Sequence, residues 1–118
     1  MTLKNFENLG IGIDIVKVDQ FRQKEYSENI DFYQKIFSSN EIKYCMKFND
    51  PYPHFAGKFA LKEALIKSIN ENIKLIDIKT DHSFSKPVIE LKKSSYNFTA
   101  SISNERDIAV GVVLSFKI

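Results

Sequence analysis

Asp14 stands in a setting that suggests chemistry, because it alternates with glycines in a strand-like segment. Residues 9–18 have the sequence LGIGIDIVKV, and this alternation of β-branched residues predicts a β-strand. The alternation places the apolar side chains on one face of the strand, namely Leu9, Ile11, Ile13 and Ile15. We expect that face to meet the core, which leaves Gly10, Gly12 and Asp14 on the opposite face. Glycines in a strand let another backbone or a ligand approach closely.

Glu63 lies in the longest predicted helix, which runs from His54 to about Asn70. The sequence HFAGKFALKEALIKSIN is apolar over most of the helix circumference, so we expect a central helix that is covered on several sides. The charged residues that interrupt this pattern are Lys58, Lys62, Glu63 and Lys67. Lys62 even falls on the same stripe as Phe55 and Phe59.

A carboxylate on the strand and a carboxylate on the helix would together suit a metal ion. Burying a carboxylate costs several kcal/mol unless a positive group meets it. Proteins hold Mg²⁺ by one or two carboxylates with substrate phosphates and waters, and lysines are point-charge partners for phosphate. The spacing is also compatible with an ordinary ion pair between Glu63 and Lys67, with Asp14 capping the following helix. The residues alone leave both interpretations open.

The rest of the chain supplies the elements that must position these residues. We predict a helix after Val18 with Asp19 as its N-cap, a short helix over 30–37, and a third helix from the capping-box sequence 38–41 to about Phe48. The predicted strands of the second half cover residues 73–79, 87–91, 96–103 and 107–118. Helices followed by strands predict an α+β fold, in which the N-terminal strand joins the C-terminal sheet.

Length and composition limit the class of protein. The 118 residues suffice for a single domain over 1–118, and a net charge of +2 with few arginines argues against nucleic-acid binding. No apolar run approaches the roughly 20 residues of a membrane helix, and residues 1–9 do not resemble a secretory signal. Cys45 is alone, which excludes an intramolecular disulfide, and we expect it in the core. His54 and His82 are isolated, so they predict no metal site, and we place His82 in an exposed turn. We therefore expect a soluble, intracellular protein.

Several segments together resemble the holo-acyl-carrier-protein synthases, the small single-domain class of phosphopantetheinyl transferases. The matching segments are GIGIDIV at 10–16, KIFSSNE with YC at 35–45, FAGKFALKEALIK at 55–67, and KP at 86–87 with SISN at 101–104. The helix segment is the most specific of these. The resemblance covers nearly the whole chain and implies that family's fold, an antiparallel sheet wrapped around a long central helix.

The resemblance also implies roles for individual residues. Asp14 and Glu63 match the two carboxylates that bind Mg²⁺ together with the diphosphate of coenzyme A. Lys62 and Lys67 match lysines beside those phosphates, and Lys58 stands on the nucleotide side, where the family usually has arginine. The resemblance thus implies Asp14, Glu63 and Lys67 as catalytic residues. Segments that border the bound nucleotide supply Pro87, Ser103 and Asn104.

The implied reaction is transfer of the phosphopantetheine arm. A serine hydroxyl of an apo acyl carrier protein attacks the phosphate that carries this arm, and adenosine 3',5'-bisphosphate leaves. Either Glu63 or a water on the metal takes the serine proton, and the sequence does not choose between them. Family members form cytoplasmic homotrimers that bind coenzyme A at the seam between subunits, so the same is expected here.

Departures from the family pattern keep two alternatives open. Gln20 stands where an arginine commonly faces the acidic carrier, which favours a carrier domain of a specialised pathway. Asn104 replaces a histidine and Ser85 replaces a glycine, which are the changes expected of a degenerate relative that binds coenzyme A or a carrier without catalysis. None of these three changes touches the two carboxylates.

Overall fold

The chain forms four helices and five strands within the part that is described. The computed structural model describes residues 8–83 and 86–118, except for the side chain of Ser83. Its helices are α1 Asp19–Arg22, α2 Ile30–Gln34, α3 Ser39–Cys45 and α4 Tyr52–Ser68. Its strands are β1 Leu9–Lys17, β2 Ile78–Ser83, β3 Lys86–Leu91, β4 Tyr96–Glu105 and β5 Ile108–Lys117. Single 3₁₀ turns lie at Tyr26–Glu28 and Leu75–Asp77.

The strands form two antiparallel groups. The larger group is a sheet in the order β1-β5-β4, in which Asp14 lies opposite Gly111, and the smaller is the hairpin β2-β3. The N-terminal strand therefore joins the C-terminal sheet, and the α+β prediction is confirmed. That residues 1–118 make a single domain stays a prediction.

The glycine face of β1 packs directly on α4. A Cβ atom added at Gly12 would collide with the Ala64 carbonyl, and one added at Gly10 would collide with the Ser68 carbonyl. The helix lies this close because the strand has no side chains there. The prediction that the isoleucine face meets the core is therefore wrong. The exposed fractions are 66% for Ile11, 55% for Ile13 and 64% for Ile15.

The exposed side of the sheet forms a continuous apolar surface, because β1 and β5 pair in register with Leu9 opposite Phe116 and Ile11 opposite Leu114. We call it the outer apolar face, and it comprises Leu9, Ile11, Ile13, Ile15, Ile108, Leu114 and Phe116. Apolar patches of this kind usually mark a contact surface.

Helix α4 is central, as its apolar circumference predicted. Its first half joins an aromatic cluster, and its second half joins an aliphatic cluster under the sheet and the hairpin. The aromatic cluster includes Phe21, Tyr33, Phe37 and Phe55. The aliphatic cluster includes Leu61, Leu65, Ile78, Ile89 and Val113. Among the described residues, no helix is long and apolar enough to cross a membrane.

Some predicted boundaries shift for local reasons. The capping box is confirmed, since Ser38 accepts from the Glu41 amide and Glu41 accepts from the Ser38 amide. Asp19 is the first residue of α1, not its cap. Helix α4 begins two residues earlier than predicted, at Tyr52, because proline is tolerated in a first helical turn. His82 lies in β2 opposite Pro87, so its placement in an exposed turn was wrong.

Candidate functional site

Lys67 is held by strand β1 and not by its own helix. Its Nζ donates to Asp14 Oδ1 at 2.9 Å and to the Ile13 carbonyl at 3.1 Å. Within residues 8–83 and 86–118, Lys67 makes no ion pair with Glu63. Helix α1 begins without a side-chain cap, so Asp14 does not cap it. The interpretation of these residues as an ordinary helix pair and a helix cap is therefore wrong.

Glu63 faces a shortage of positive charge. The pKa of its carboxyl is raised, first by burial and then by the negative charge of Asp14, while the charge of Lys67 opposes the rise. One ammonium group thus serves two carboxylates that lie close enough to interact. We call Asp14, Glu63 and Lys67 the carboxylate pair with its lysine. An additional cation would stabilise the ionised form of both carboxylates.

The donor set of this pair fits Mg²⁺. Both side chains offer hard oxygen ligands, and the side chain of Asp14 keeps 16% of its surface exposed, so its site is open to solvent. Among the described residues there is no group of three or more His, Cys, Asp or Glu that could hold a metal alone. Mg²⁺ ordinarily takes one or two carboxylates and completes its shell with waters and substrate phosphates. The residues present match that pattern.

Lys62 occupies a different environment from the one that the resemblance implied. Its side chain has 0% exposure, and its Nζ donates to the Ile36 carbonyl at 2.6 Å and to Glu41 Oε1 at 2.7 Å. Burial alone would raise the pKa of Glu41, but the charge of Lys62 and hydrogen bonds from Lys62, Thr80 and Ser38 lower it overall. Lys62 therefore presents no surface to a ligand in this structure, which corrects its expected contact with phosphate.

Lys58 is buried but borders a cleft. Its Nζ donates to Thr80 Oγ1 at 3.0 Å, lies 3.4 Å from the Thr80 carbonyl, and sits 4.7 Å from the centre of the Tyr44 ring. The described part of the chain gives it no carboxylate partner within ion-pair distance. Burial lowers the pKa of Lys58, and the nearby acidic groups of Cys45, Glu41 and Asp81 oppose that shift. The cleft of about 570 Å³ is lined by Ser38, Asn40, Tyr44, Lys58, Lys79, Thr80, Asp81, Val88 and Glu90.

The other predicted nucleotide-binding residues surround the N-terminal half of α4 or lie on the sheet. Asn104 is exposed at the end of β4, and its Nδ2 donates to the Pro53 carbonyl at 3.3 Å. Pro87 lies on β3 opposite His82, whose ring stacks on Tyr44 with centroids 5.0 Å apart. Ser103 is exposed on β4. Ser85 lies outside the described residues.

The chain thus separates the predicted site residues into two groups. The carboxylate pair with its lysine is one group, and Lys58 with its cleft is the other. Lys58 and Glu63 are five residues apart on α4, which is roughly 140° around the helix axis, so they face different sides. Neither Asp14 nor Glu63 lines the cleft of Lys58.

Sequence reasoning missed the residues that hold the buried lysines. Glu41 was recognised as a capping-box residue and as part of the KIFSSNE segment, but not as the acceptor of hydrogen bonds from Lys62 and Thr80. No pattern marked Thr80, and Tyr44 was marked only as part of the YC segment that matches the family. The available signal was the presence of Lys58 and Lys62 on an otherwise apolar helix, because buried charges require partners elsewhere in the chain.

Comparisons with known proteins agree with the fold and the motifs. A model of the 4'-phosphopantetheinyl transferase superfamily matches residues 10–113. A holo-[acyl-carrier-protein] synthase of Thermodesulfovibrio yellowstonii is 31% identical over an alignment of 109 residues that covers 89% of this chain and 96% of that protein.

Solved structures give the same result. The crystal structure of Helicobacter pylori holo-[acyl-carrier-protein] synthase in complex with coenzyme A is similar at a TM-score of 0.74 and 32% identity, covering 87% of this chain and 96% of the other. A holo-(acyl-carrier-protein) synthase from Bacillus anthracis in complex with CoA (3',5'-ADP) reaches a TM-score of 0.79 at 25% identity, covering 92% and 96%. The chain belongs to the holo-[acyl-carrier-protein] synthase family of the 4'-phosphopantetheinyl transferase superfamily, a family of transferases.

Proposed function

We propose that this chain transfers the 4'-phosphopantetheine arm of coenzyme A to a serine of an apo acyl carrier protein. The observation that carries the proposal is the meeting of Asp14, Glu63 and Lys67 from two distant segments. The similar Helicobacter pylori enzyme was crystallised with coenzyme A, which supports coenzyme A as the donor. A cytoplasmic location and a contribution to fatty-acid synthesis belong to the same proposal.

Asp14 and Glu63 are the residues that would hold Mg²⁺. When bound, the ion supplies positive charge against the diphosphate of coenzyme A as negative charge builds on it. The environment of Glu63 supports this assignment, because burial and then the negative charge of Asp14 raise the pKa of its carboxyl, and a bound cation would offset both. Lys67 keeps 54% of its side chain exposed, so its ammonium has room to turn from Asp14 toward a phosphate oxygen.

The transfer step balances with the groups present. The serine oxygen forms a bond to the phosphorus that carries the pantetheine arm, and the phosphoanhydride bond breaks. Its electron pair leaves on the 5'-phosphate of adenosine 3',5'-bisphosphate. The serine proton goes to a base, for which Glu63 and a water at the carboxylate pair are the two candidates.

Lys58 would serve the nucleotide portion of coenzyme A. A buried ammonium without a carboxylate partner is costly unless an anion faces it, and Lys58 borders a cleft of about 570 Å³. Asn104, at the end of β4, contacts the first turn of α4 through the Pro53 carbonyl, and its exposed amide would also face a ligand bound there. Pro87 and Ser103 stay in the proposal as residues that border the nucleotide.

We propose a homotrimer as the active form. The carboxylate pair with its lysine and the cleft of Lys58 face different sides of α4, which supports a coenzyme A site that is shared between two copies of the chain. The outer apolar face offers the contact surface, since its isoleucines are more than half exposed. Light scattering tests this proposal: we expect the mass of three chains, and Ile13→Glu should lower it. A stable monomer of the wild-type chain would contradict it.

Mass spectrometry of an apo carrier tests the transfer itself. The carrier is incubated with this protein, coenzyme A and Mg²⁺, and a parallel sample contains EDTA. We expect the carrier to gain the mass of one phosphopantetheine group, and EDTA to prevent the gain. Binding of coenzyme A by calorimetry without any transfer would instead favour a degenerate relative.

A carrier domain of a specialised pathway is the second candidate client. The cation of α1, Arg22, is already paired with Asp50 at 2.7 Å and lies 3.6 Å from Asp19, so it is less free to replace the arginine that Gln20 lacks. A panel of apo carriers discriminates between the candidates. A fatty-acid carrier that is a poor substrate beside a specialised carrier domain would favour this second reading.

A further inference from the structure

Four side chains form a buried chain of contacts from the middle of α4 to the cleft. Lys62 contacts Glu41, Glu41 contacts Thr80, and Thr80 contacts Lys58. We infer that Lys62 acts on the nucleotide site through Glu41 and Thr80, as a positioning residue for Lys58, and does not itself touch coenzyme A. This inference rests on the proposed function, because it names the residues that prepare the coenzyme A site. We call Lys62, Glu41, Thr80 and Lys58 the buried relay.

The first step concerns what Lys62 can reach. Its ammonium is fully buried, and the Ile36 carbonyl and Glu41 Oε1 lie within 2.7 Å of it. The ring of Phe37 covers it at 5.2 Å from the ring centre. These contacts occupy the ammonium on the inner side of α4. Lys62 therefore acts on its surroundings through Glu41.

The second step concerns the carboxylate of Glu41. Oε1 accepts from Lys62 and from the Ser38 amide, while Oε2 accepts from the Thr80 amide at 2.9 Å and from Thr80 Oγ1 at 2.6 Å. A carboxylate only accepts hydrogen bonds, so the proton of the Thr80 hydroxyl must point at Glu41. The lone pairs of the hydroxyl oxygen are thereby turned toward Lys58 Nζ, 3.0 Å away.

The third step concerns charge. One buried carboxylate, Glu41, faces two buried ammonium groups, those of Lys62 and Lys58. Lys62 neutralises the carboxylate by direct contact. Among the described residues, Lys58 therefore has no carboxylate within ion-pair distance, although Asp81 and Glu90 also line the cleft. Thr80 and the ring of Tyr44 fix the position of that charge. An anionic portion of coenzyme A would meet an ammonium that is already oriented.

Substitution of Thr80 tests the last contact in the relay. Thr80→Val removes the hydroxyl at nearly constant shape, and Thr80→Ser keeps it. We expect Thr80→Val to weaken the calorimetric affinity for coenzyme A, measured without metal, by about tenfold, since a hydrogen bond to a charged group is lost. The kcat at saturating coenzyme A should change by less than about twofold, and Thr80→Ser should bind within about twofold of wild type. For the Lys62 variants, which remove a positive charge, Lys92→Met on an exposed turn is the control for general loss of that charge.

A pair of variants at Lys62 separates positioning from direct contact. In Lys62→Met the carboxylate of Glu41 stays buried without its counter-ion. We expect this to disturb the contacts of the buried relay and to lower the affinity for coenzyme A. In Glu41→Gln/Lys62→Met the introduced amide oxygen still accepts from Thr80, so we expect affinity within about threefold of wild type. A lysine that contacted phosphate directly would leave the double variant as weak as the single one.

The outcomes are distinct. Equal affinity of Thr80→Val and wild type would overturn the inference, as would a folded double variant that binds no better than Lys62→Met. If Lys62→Met fails to fold, two comparisons of coenzyme A affinity still test the inference. One compares the double variant with wild type, and the other compares Thr80→Val with Thr80→Ser. A wild-type chain that performs no transfer would contradict the proposed function, whereas wild-type transfer with an unaffected Thr80→Val contradicts only the relay.

Discussion

Neighbouring residues on α4 belong to two regions with opposite charge balance. Glu63 shares one exposed lysine, Lys67, with a second carboxylate, and its carboxyl pKa is raised. Lys62, the preceding residue, is fully buried against Glu41, whose carboxyl pKa is lowered. The first region is short of positive charge and open to solvent. In the second region, the charge of Lys62 is neutralised by the Glu41 carboxylate, which accepts four hydrogen bonds.

The difference shows how similar residue types acquire different tasks. A carboxylate that its own protein neutralises contributes to structure and orientation, as Glu41 does. A carboxylate that its own protein leaves under-neutralised favours binding of a cation, as Glu63 does. Sequence motifs that place Lys and Glu side by side on a helix do not distinguish these tasks, because the partners come from other elements.

The largest expected effect is the loss of phosphopantetheine transfer in the variant Glu63→Gln. Loss of a carboxylate that would hold Mg²⁺ removes several kcal/mol of electrostatic stabilisation, so we expect transfer to fall by more than about 100-fold. Mass spectrometry of the carrier measures this. Glu41→Gln/Lys62→Met, in the other region, is the matched comparison and should retain transfer. Near-normal turnover by Glu63→Gln would remove the distinction between the two regions.

The same variant should be more stable than wild type at neutral pH without metal. A carboxyl whose pKa is raised by folding stabilises the fold below its unfolded pKa of 4.5, and loses that contribution as pH rises through the folded value. Ionised Glu63 is therefore unfavourable at neutral pH, and glutamine has no such charge. Thermal unfolding in EDTA checks this; a lower midpoint for the variant would indicate a structural role for the carboxylate.

Breaking the buried pair should cost the most stability. We expect Lys62→Met to lower the free energy of unfolding by about 3–5 kcal/mol, because it leaves the charge of Glu41 buried without a partner. Glu41→Gln/Lys62→Met should recover most of this loss. Urea titration measures both variants, and a double variant as unstable as the single one would show that the ion pair itself is not the cause.

Substitution of Lys67 should affect catalysis and spare stability. We expect Lys67→Met to lower kcat/KM about tenfold through loss of a charge-assisted contact to phosphate. The exposed ion pair with Asp14 contributes no more than about 1 kcal/mol, so unfolding should hardly change. Steady-state kinetics beside urea titration separates these effects. A large loss of stability would place Lys67 with the structural group.

A smaller effect concerns the histidines near the Lys58 cleft. Burial is the first cause that lowers the pKa of both His54 and His82, and their rings stack on Phe48 and Tyr44. A histidine whose pKa is lower in the folded state stabilises the fold. This stabilisation is complete above the unfolded pKa of 6.5 and is lost as pH falls through the folded pKa. Wild-type stability should thus decline as pH falls below about 6.5, as the unfolded state takes up protons.

The histidine variants His54→Phe and His82→Phe keep an aromatic ring but cannot be protonated. Combined, they should flatten the dependence of the melting temperature on pH in this range. A profile that matches wild type would assign the decline to other groups.

Local patterns were predictable from the sequence. The alternation in β1 and the capping box of Ser38 with Glu41 involve residues close in the chain, and both are confirmed. The orientation of β1 was not, because alternation defines two faces without showing which one the helix covers. The pairing of Asp14 with Lys67 spans 53 residues, and that of Glu41 with Lys62 spans 21. Such contacts depend on the packing of α4 against β1 and α3. The sequence therefore identified the candidate residues of the site and placed Lys62 on the buried stripe of the helix, but it did not show that Glu41 is the partner of Lys62 there.

Titration with Mn²⁺ in the presence of coenzyme A tests the central claim most directly. Electron paramagnetic resonance of free Mn²⁺ reports binding without requiring turnover. We predict that wild type and Glu41→Gln/Lys62→Met bind the ion with similar affinity, and that Asp14→Asn and Glu63→Gln lose at least about tenfold. Unchanged affinity in Glu63→Gln, with loss in the double variant, would contradict the assignment of the two regions.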